Sequence, residues 1–230
     1  MTSFFRFPST PHLAWLSQTT VPREDKLLSP SDERTLLAGE VLVEEKIDGA
    51  NIGLSLAEDG TLLAQNRGQY LTAPYAGQFA RLPEWLTQHE AEIRDQLDAP
   101  LILFGEWSAA RHSIRYDRLP DWFLLFDVYD RAAGRFWSSR RRNALASAAG
   151  LAIVPTLLRG RTNLTELQQL LETGSSHYRA GPMEGLVVRR ESTDWCESRA
   201  KLVRSDFTQA IEEHWSRRRI EWNRVDWSGH

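Results

Sequence analysis

The chain has 230 residues, 28 Lys and Arg against 31 Asp and Glu, a formal charge of −3 and 41% hydrophobic residues. That balance excludes recognition of nucleic acid by overall charge, and no apolar run approaches the ~18 residues of a membrane span, so a globular chain without leader or anchor is expected. The lone cysteine, Cys196, excludes an intrachain disulfide and a multi-cysteine zinc site and fits a reducing, cytosolic setting.

In chain order, residues 1–30, rich in Pro, Ser and Thr, read as an irregular N-terminal segment, and Ser31 ahead of DERTLLA predicts a helix over 31–38. VLVEEKI (41–47), IGLSL (52–56) and TLLAQN (61–66) have the β-branched content and alternation of strands. With GAN and EDG as turns they predict an antiparallel meander, because such short links cannot hold a crossover helix. A helix over 84–97 follows Pro83, then come strands LILFGEW (101–107) and WFLLFDVY (122–129). Serines before RRRNALASAA and Gly150 after it bound a helix over 138–149. Next are a strand LAIVPT (151–156), a helix over 163–173 ended by Gly174 and a strand GLVVRR (185–190). A last helix over about 206–222 opens at Ser205 and Asp206 and puts Phe207, Ile211 and Trp215 on one face. With no repeat and no linker-like stretch, the pattern predicts an α+β chain in a single domain over 1–230.

Only three of the 28 basic residues are lysine: Lys26, Lys46 and Lys201. Arginine stays charged at any working pH, whereas lysine can lose its proton and act as an amine nucleophile. Lys46 sits in EKIDGAN (45–51), at a strand end before an Asp-Gly pair; alone, this fits an exposed structural lysine equally well. Downstream, in order, stand QNRG (65–68), FGEW (104–107), FLLFDVYD (123–130), MEGLVVRR (183–190) and RAKLVRSDF (199–207), each at the beginning or end of a strand.

This ordered series resembles the motifs of the covalent nucleotidyltransferase superfamily, which comprises ATP-dependent RNA and DNA ligases and mRNA capping enzymes. EKIDGAN, GEW, FLLFD and MEGLVV are most similar to the RNA ligases, of the small bacterial type, and the resemblance runs from about residue 41 to 207. It implies a nucleotidyltransferase (ligase adenylation) domain of antiparallel sheets with flanking helices and the nucleotide in a groove between them. The 26 residues after Arg204 lead us to expect no OB-fold appendage. The implied chemistry is attack of Lys46 on the α-phosphorus of ATP, loss of pyrophosphate and formation of lysyl-AMP. AMP then passes to an RNA 5′-phosphate, and an adjacent 3′-hydroxyl displaces it to seal the strand. An ordinary lysine is neutral in only roughly one part in a thousand near pH 7, so nearby cations, a metal ion and desolvation must favour the amine.

By the same resemblance Lys201 is catalytic with Lys46, touching the α-phosphate as pyrophosphate departs, and Asp48 and Glu184 hold Mg²⁺, or Mn²⁺ in its stead. Phe126 stacks on adenine with Glu45 beside it, Glu106 accepts from a ribose hydroxyl, Arg67 contacts ribose and later the acceptor end, and Asn51 hydrogen-bonds within the site. Val203 stands where the family often has a further lysine, and Arg204 points to the opposite strand face. Each residue also has a structural reading: Phe126 as strand core, Arg67 as a solvated hairpin residue, Glu106 as an edge-strand acid, Glu184 as a turn cap.

Arg111, His112, Arg115 and Arg118 surround Tyr116 in the loop 108–120, which either straddles phosphates or is solvated. Arg140, Arg141 and Arg142 likewise either bind a phosphate strand or face solvent, and Arg217, Arg218 and Arg219 spread around the last helix. The function expected is an ATP- and Mg²⁺-dependent RNA ligase in cytoplasmic RNA repair, without a membrane partner. It would join RNA ends, with its helical tail alone or with a partner protein supplying end recognition. A DNA nick ligase or GTP-using capping-type enzyme, and a nucleotide- or RNA-end-binding module without turnover, stay open as alternatives.

Overall fold

Alternation along two strand sets fixes the architecture of the computed structural model, which describes residues 4–17, 27–210 and 220–229. In β1 (Val41–Lys46), Val41 and Val43 are buried on one face, while Leu42, Glu44 and Lys46 take the other. Both edges of β1 are paired, antiparallel, with β7 (Thr156–Gly160) and β8 (Gly185–Glu191), and β9 (Cys196–Val203) completes a four-stranded sheet of order β7-β1-β8-β9. The register sets Lys46 opposite Gly185, Val187 opposite Lys201 and Arg189 opposite Arg199. Since paired residues share a face, Glu44, Lys46, Val187, Arg189, Arg199 and Lys201 project to one side. The other side packs Val41, Val43, Leu186, Val188, Ala200 and Leu202 against Leu36 of α1 (Pro30–Leu37) and Leu167 and Leu171 of α4 (Leu164–Thr173).

The second sheet has five strands in the order β3-β2-β4-β5-β6: β2 (Ala50–Leu56), β3 (Leu62–Gln65), β4 (Leu101–Trp107), β5 (Phe123–Asp130) and β6 (Arg135–Phe136). Its outer face buries Ile52, Leu54, Leu103, Trp107, Phe123, Leu125 and Val128 under Leu82, Trp85 and Ile93 of α2 (Leu82–Gln96) and Leu145 and Ala146 of α3 (Ser139–Ala148). Its inner face presents Asn51, paired opposite Glu106, and then Phe104 and Asp127. A register shift between Phe104 and Gly105 leaves Phe126 as an extra residue in β5, so Phe126 and Asp127 both turn inward.

Most elements match expectation within a few residues, with three corrections. β1 and β2 do not form a hairpin: Lys46 pairs with Gly185 and Ala50 with Trp107, so residues 47–49 cross from one sheet to the other. Both edges of β1 are already occupied, and a Cβ on Gly49 would lie 2.6 Å from the Trp107 carbonyl oxygen, so a side chain has no room where the crossing passes the end of β4. The hairpin β2–β3 does form, around Gly60 at φ 80°. The apolar run 151–155 packs as extended chain with a single bridge, Ile153 to Leu125, and the strand is the following Thr156–Gly160. The last helix, α5, covers Ser205–Ala210; residues 211–219, including Ile211, Trp215 and Arg217–Arg219, lie outside the described residues. Residues 220–226 are not helical, Trp222 bridges to Ala110, and a single 3-10 turn follows over Trp227–Gly229.

A buried ionic network joins the sheets. Arg142 of α3, expected to face solvent or phosphate, is fully buried and donates to Glu44 Oε1 at 2.6 Å and to the Phe126 carbonyl at 2.7 Å. Arg189 donates to Asp127 Oδ1 at 2.7 Å and Glu191 Oε1 at 2.9 Å, and Arg199 to Asp127 Oδ2 at 2.6 Å. Its helix N-terminus made Arg142 a poor solvent cation; burial beside Glu44 supplies the opposite charge it needs. Arg142→Ala is therefore expected to destabilise the protein by about 3 kcal/mol in urea unfolding, because Glu44 is left buried without its hydrogen-bonded partner and only Arg189, at 3.9 Å, still opposes its charge.

Candidate active site

Between the two inner faces lies a cavity of about 640 Å³, lined by Lys46, Glu44, Asn51, Arg67, Glu106, Phe126, Arg189, Arg199 and Lys201, with Phe7 and Thr10 from the N-terminal segment. Strand alternation delivers these side chains from β1, β8 and β9 of one sheet and from β2, β4 and β5 of the other, with Arg67 just beyond β3, so the groove follows directly from the registers above.

Lys46 Nζ donates to Glu184 Oε1 at 2.6 Å. Burial alone would lower the amine, but Glu184, then Glu106 and Asp48, outweigh it and hold Lys46 above its ordinary value. In this state the amine is an ammonium. Glu184 Oε2 is buried without a hydrogen-bond partner. Asp48 is gripped by the loop after β4: its Oδ2 accepts from the Ser113 and Ile114 amides at 2.7 and 2.8 Å, and its own amide donates to the Tyr116 hydroxyl at 2.9 Å.

Burial pushes the Glu106 carboxyl up to about 8, against the pull of Lys46 and with the push of Glu184 and Asp48. At neutral pH it carries its proton and can donate a hydrogen bond as well as accept one. Both polar atoms of the Asn51 side chain are buried without a partner at the cavity wall. Phe126 meets Phe7 edge to face at 5.4 Å between ring centres. Glu45 contributes to the lining, but its side chain belongs to the outer face, where Oε2 accepts from the His177 amide at 2.9 Å. Lys201 is fixed through its backbone: its amide donates to the Pro11 carbonyl at 2.9 Å and its carbonyl accepts from Leu13 at 2.7 Å.

The RNA ligase family model matches residues 39–203, from just before β1 to the end of β9. The chain belongs to the RNA ligase family. No curated protein matches it by sequence. Among solved structures, a Naegleria gruberi RNA ligase variant with ATP and Mn is 20% identical at a TM-score of 0.65, covering 94% of this chain and 60% of that one. The Naegleria gruberi RNA ligase with PPi is 22% identical at 0.59, covering 94% and 62%. An archaeal ATP-dependent RNA ligase is 21% identical at 0.58, covering 86% and 48%. At these identities the likeness is one of fold, and this RNA ligase family member spans about 60% of the length of the first of them.

Of the residues singled out in the sequence, Lys46, Asn51, Arg67, Glu106, Phe126 and Lys201 share the cavity with Glu45, while Asp48 and Glu184 flank Lys46 just outside its lining. Sequence reasoning missed Glu44, Asp127, Arg189 and Arg199; counting back by twos from Lys46 and Lys201 would have found Glu44 and Arg199. It left His112 in a loop that either straddles phosphates or is solvated, and His112 lines the cavity with Nε2 2.7 Å from Gln78 Oε1. Arg111 pairs with Glu221 at 2.7 Å, and Arg118 donates to the carbonyls of His177 and Arg179.

The carboxylates fit a divalent cation. Glu184, Asp48 and Glu106 crowd a single ammonium, and one buried carboxylate oxygen has no partner. Among the described residues no three His, Cys, Asp or Glu side chains are grouped to hold an ion by themselves. That suits Mg²⁺ or Mn²⁺ shared with a polyphosphate, since Mg²⁺ typically takes one or two carboxylates and keeps water or phosphate for the rest.

The Glu106 shift has a sign that melting can read. The carboxyl titrates near 4.5 when exposed and near 8 when folded, so between those values the unfolded chain releases a proton that the folded one retains, and stability falls as pH rises. Relative to Glu106→Gln, the wild type is expected to lose thermal stability from pH 5 to pH 8 and to show no further relative loss above that.

Proposed function

We propose that this chain is an ATP-dependent RNA ligase whose nucleophile is Lys46. The observation that carries the reading is one strand-end lysine facing a nucleotide-sized cavity between two sheets, against Glu184 at 2.6 Å. Family membership and the fold shared with RNA ligase structures that hold ATP and Mn support it.

Lys46 must give up a proton before its nitrogen can bond to the α-phosphorus, and Glu184 Oε1 is the acceptor already in place. The new N–P bond forms as the bond to the pyrophosphate oxygen breaks, giving lysyl-AMP. Lys201, on the same face three strands from the β7 edge, stabilises the charge that develops on the phosphate oxygens. Phe126 presents a ring to the base, Glu106 and Arg67 hold the ribose, and Asn51 offers its unpartnered amide to a phosphate or hydroxyl. Asp48 and Glu184 would hold a divalent cation, which when bound supplies charge neutralisation at the phosphates. AMP then passes to an RNA 5′-phosphate, and the 3′-hydroxyl of a neighbouring end displaces it.

The substrate is an RNA break read by shape and 2′-hydroxyls rather than by sequence. End recognition comes from this domain, taken as one unit over 1–230, or from a partner chain. Among the described residues no helix is long and apolar enough to cross a membrane. The lone cysteine fits a reducing setting, and cytoplasmic RNA repair is the setting we propose.

Incubation with Mg²⁺ and α-labelled ATP, followed by denaturation, is expected to leave label on the wild type, none on Lys46→Ala and none when a chelator is present. Label from GTP instead would favour a capping-type enzyme. Sealing of all-DNA nicks at an undiminished rate would favour a DNA ligase, and no label on a protein free of prior AMP would leave a binding module.

A further inference from the structure

We propose that Asn223, twenty residues beyond the family match, is a positioning residue that holds Asp48 beside Lys46. The inference rests on the reading of Lys46 as the residue that takes AMP.

Asp48 lies in the crossing between the sheets, outside any ladder, and what fixes it is the loop after β4: two amides on its carboxylate and one phenol on its own amide. That loop has no regular structure of its own over residues 111–115, so its shape must come from elsewhere. Arg111 is held by the Glu221 carbonyl at 2.8 Å and His112 by Gln78 at 2.7 Å, and both ends of the loop are held by Asn223, which is buried to 3% exposure. Its Oδ1 accepts from the Tyr116 amide at 2.9 Å, and its Nδ2 donates to the Ser108 carbonyl at 2.8 Å and, more weakly, to the Ala110 carbonyl at 3.4 Å. One side chain thus pins both feet of the excursion that carries Ser113 and Ile114 to Asp48.

The backbone on either side repeats the grip. Asn223 N donates to Ala109 O at 2.9 Å and Arg224 N to Tyr116 O at 3.1 Å, with Leu119 N returning to Arg224 O at 3.0 Å. Asparagine is the side chain this place needs, because only an amide supplies two donors and an acceptor without charge. Aspartate would set a carboxylate against two carbonyls, and alanine would leave two carbonyls and an amide buried without partners.

The test compares wild type, Asn223→Ala and, as a control on the same segment, Glu221→Ala, whose ion pair with Arg111 is solvent-exposed. AMP transfer to the protein is followed at a series of ATP concentrations, and amide exchange is read in the peptides covering 108–117. The expected result for Asn223→Ala is a maximal labelling rate 10- to 100-fold lower and a half-saturating ATP concentration within about 3-fold of wild type. Exchange at Ser113 and Ile114 should be faster, in a protein that stays folded at the assay temperature, with Glu221→Ala near wild type in all three. A merely structural loss would instead lower the active fraction and leave the rate of the remainder unchanged. Wild-type labelling rate, or wild-type protection at Ser113 and Ile114, in Asn223→Ala would overturn the proposal. If the wild type itself takes no label, the ligase reading fails, and amide exchange alone then decides whether Asn223 holds the loop.

Discussion

The two sheets are held at a working distance by charge placed where water is excluded. Glu44, Asp127 and Glu191 face Arg142, Arg189 and Arg199, three acids against three guanidinium groups, drawn from β1, β5, β8, β9 and α3. Buried ions cost several kcal/mol each unless paired and hydrogen-bonded, so this set is tolerable only when both sheets and α3 are in register. The network also uses the Phe126 carbonyl, which Arg142 and Arg189 share, and so ties the backbone of the bulged strand to the cavity floor. Geometry elsewhere in the groove inherits this constraint.

The opposite end of the cavity is deliberately unbalanced by comparison. There Lys46 faces the carboxylates of Glu184 and Asp48 and the carboxyl of Glu106, which burial keeps protonated at neutral pH, while Lys201 acts weakly on Glu184 and Arg67 on Glu106. The excess of acid has two effects that pull apart. It keeps the amine protonated, which is the wrong state for the attack proposed above, and it makes the site receptive to positive charge. A cation arriving with a polyphosphate would relieve both at once, since neutralising the carboxylates removes what holds the proton on Lys46. The floor is therefore a structural use of buried charge and the Lys46 end a chemical one, distinguished by whether the charges cancel before anything binds.

Much of this was legible in the sequence because it depends on local pattern. The scarcity of lysine isolated Lys46 and Lys201, the helices announced themselves by Pro83, Gly150 and Gly174, and the ordered motifs brought Asn51, Arg67, Glu106 and Phe126 together before any strand was paired. What could not be read was pairing. Nothing in EKIDGAN says that β1 already has two neighbours, so the crossing at 47–49 looked like a hairpin turn. Arg142 looked like one of three arginines turned to phosphate or solvent because its partner, Glu44, lies 98 positions away. Asn223 and the loop it holds were invisible for the same reason: an asparagine in a polar tail carries no periodicity, and its meaning lies in carbonyls over a hundred residues distant.

The extra residue in β5 means that this strand is read in two phases. Before it, Phe123 and Leu125 point outward; after it, Val128 does, and Tyr129 joins the inner aromatic group with Phe5 and Phe136. Substitutions there act one position at a time, but changes of length act differently on the two sides of the count. Removing Phe126 or Asp127 would restore strict alternation and keep Val128 outward and Tyr129 inward, at the loss of either the aromatic wall or the acid that anchors two arginines, whereas one more residue in the regular part of the strand would swap core for surface along the rest of it. Chain length in β5 is thus under tighter physical control than residue identity, and drift in this part of the sequence should proceed by replacement and spare insertions and deletions.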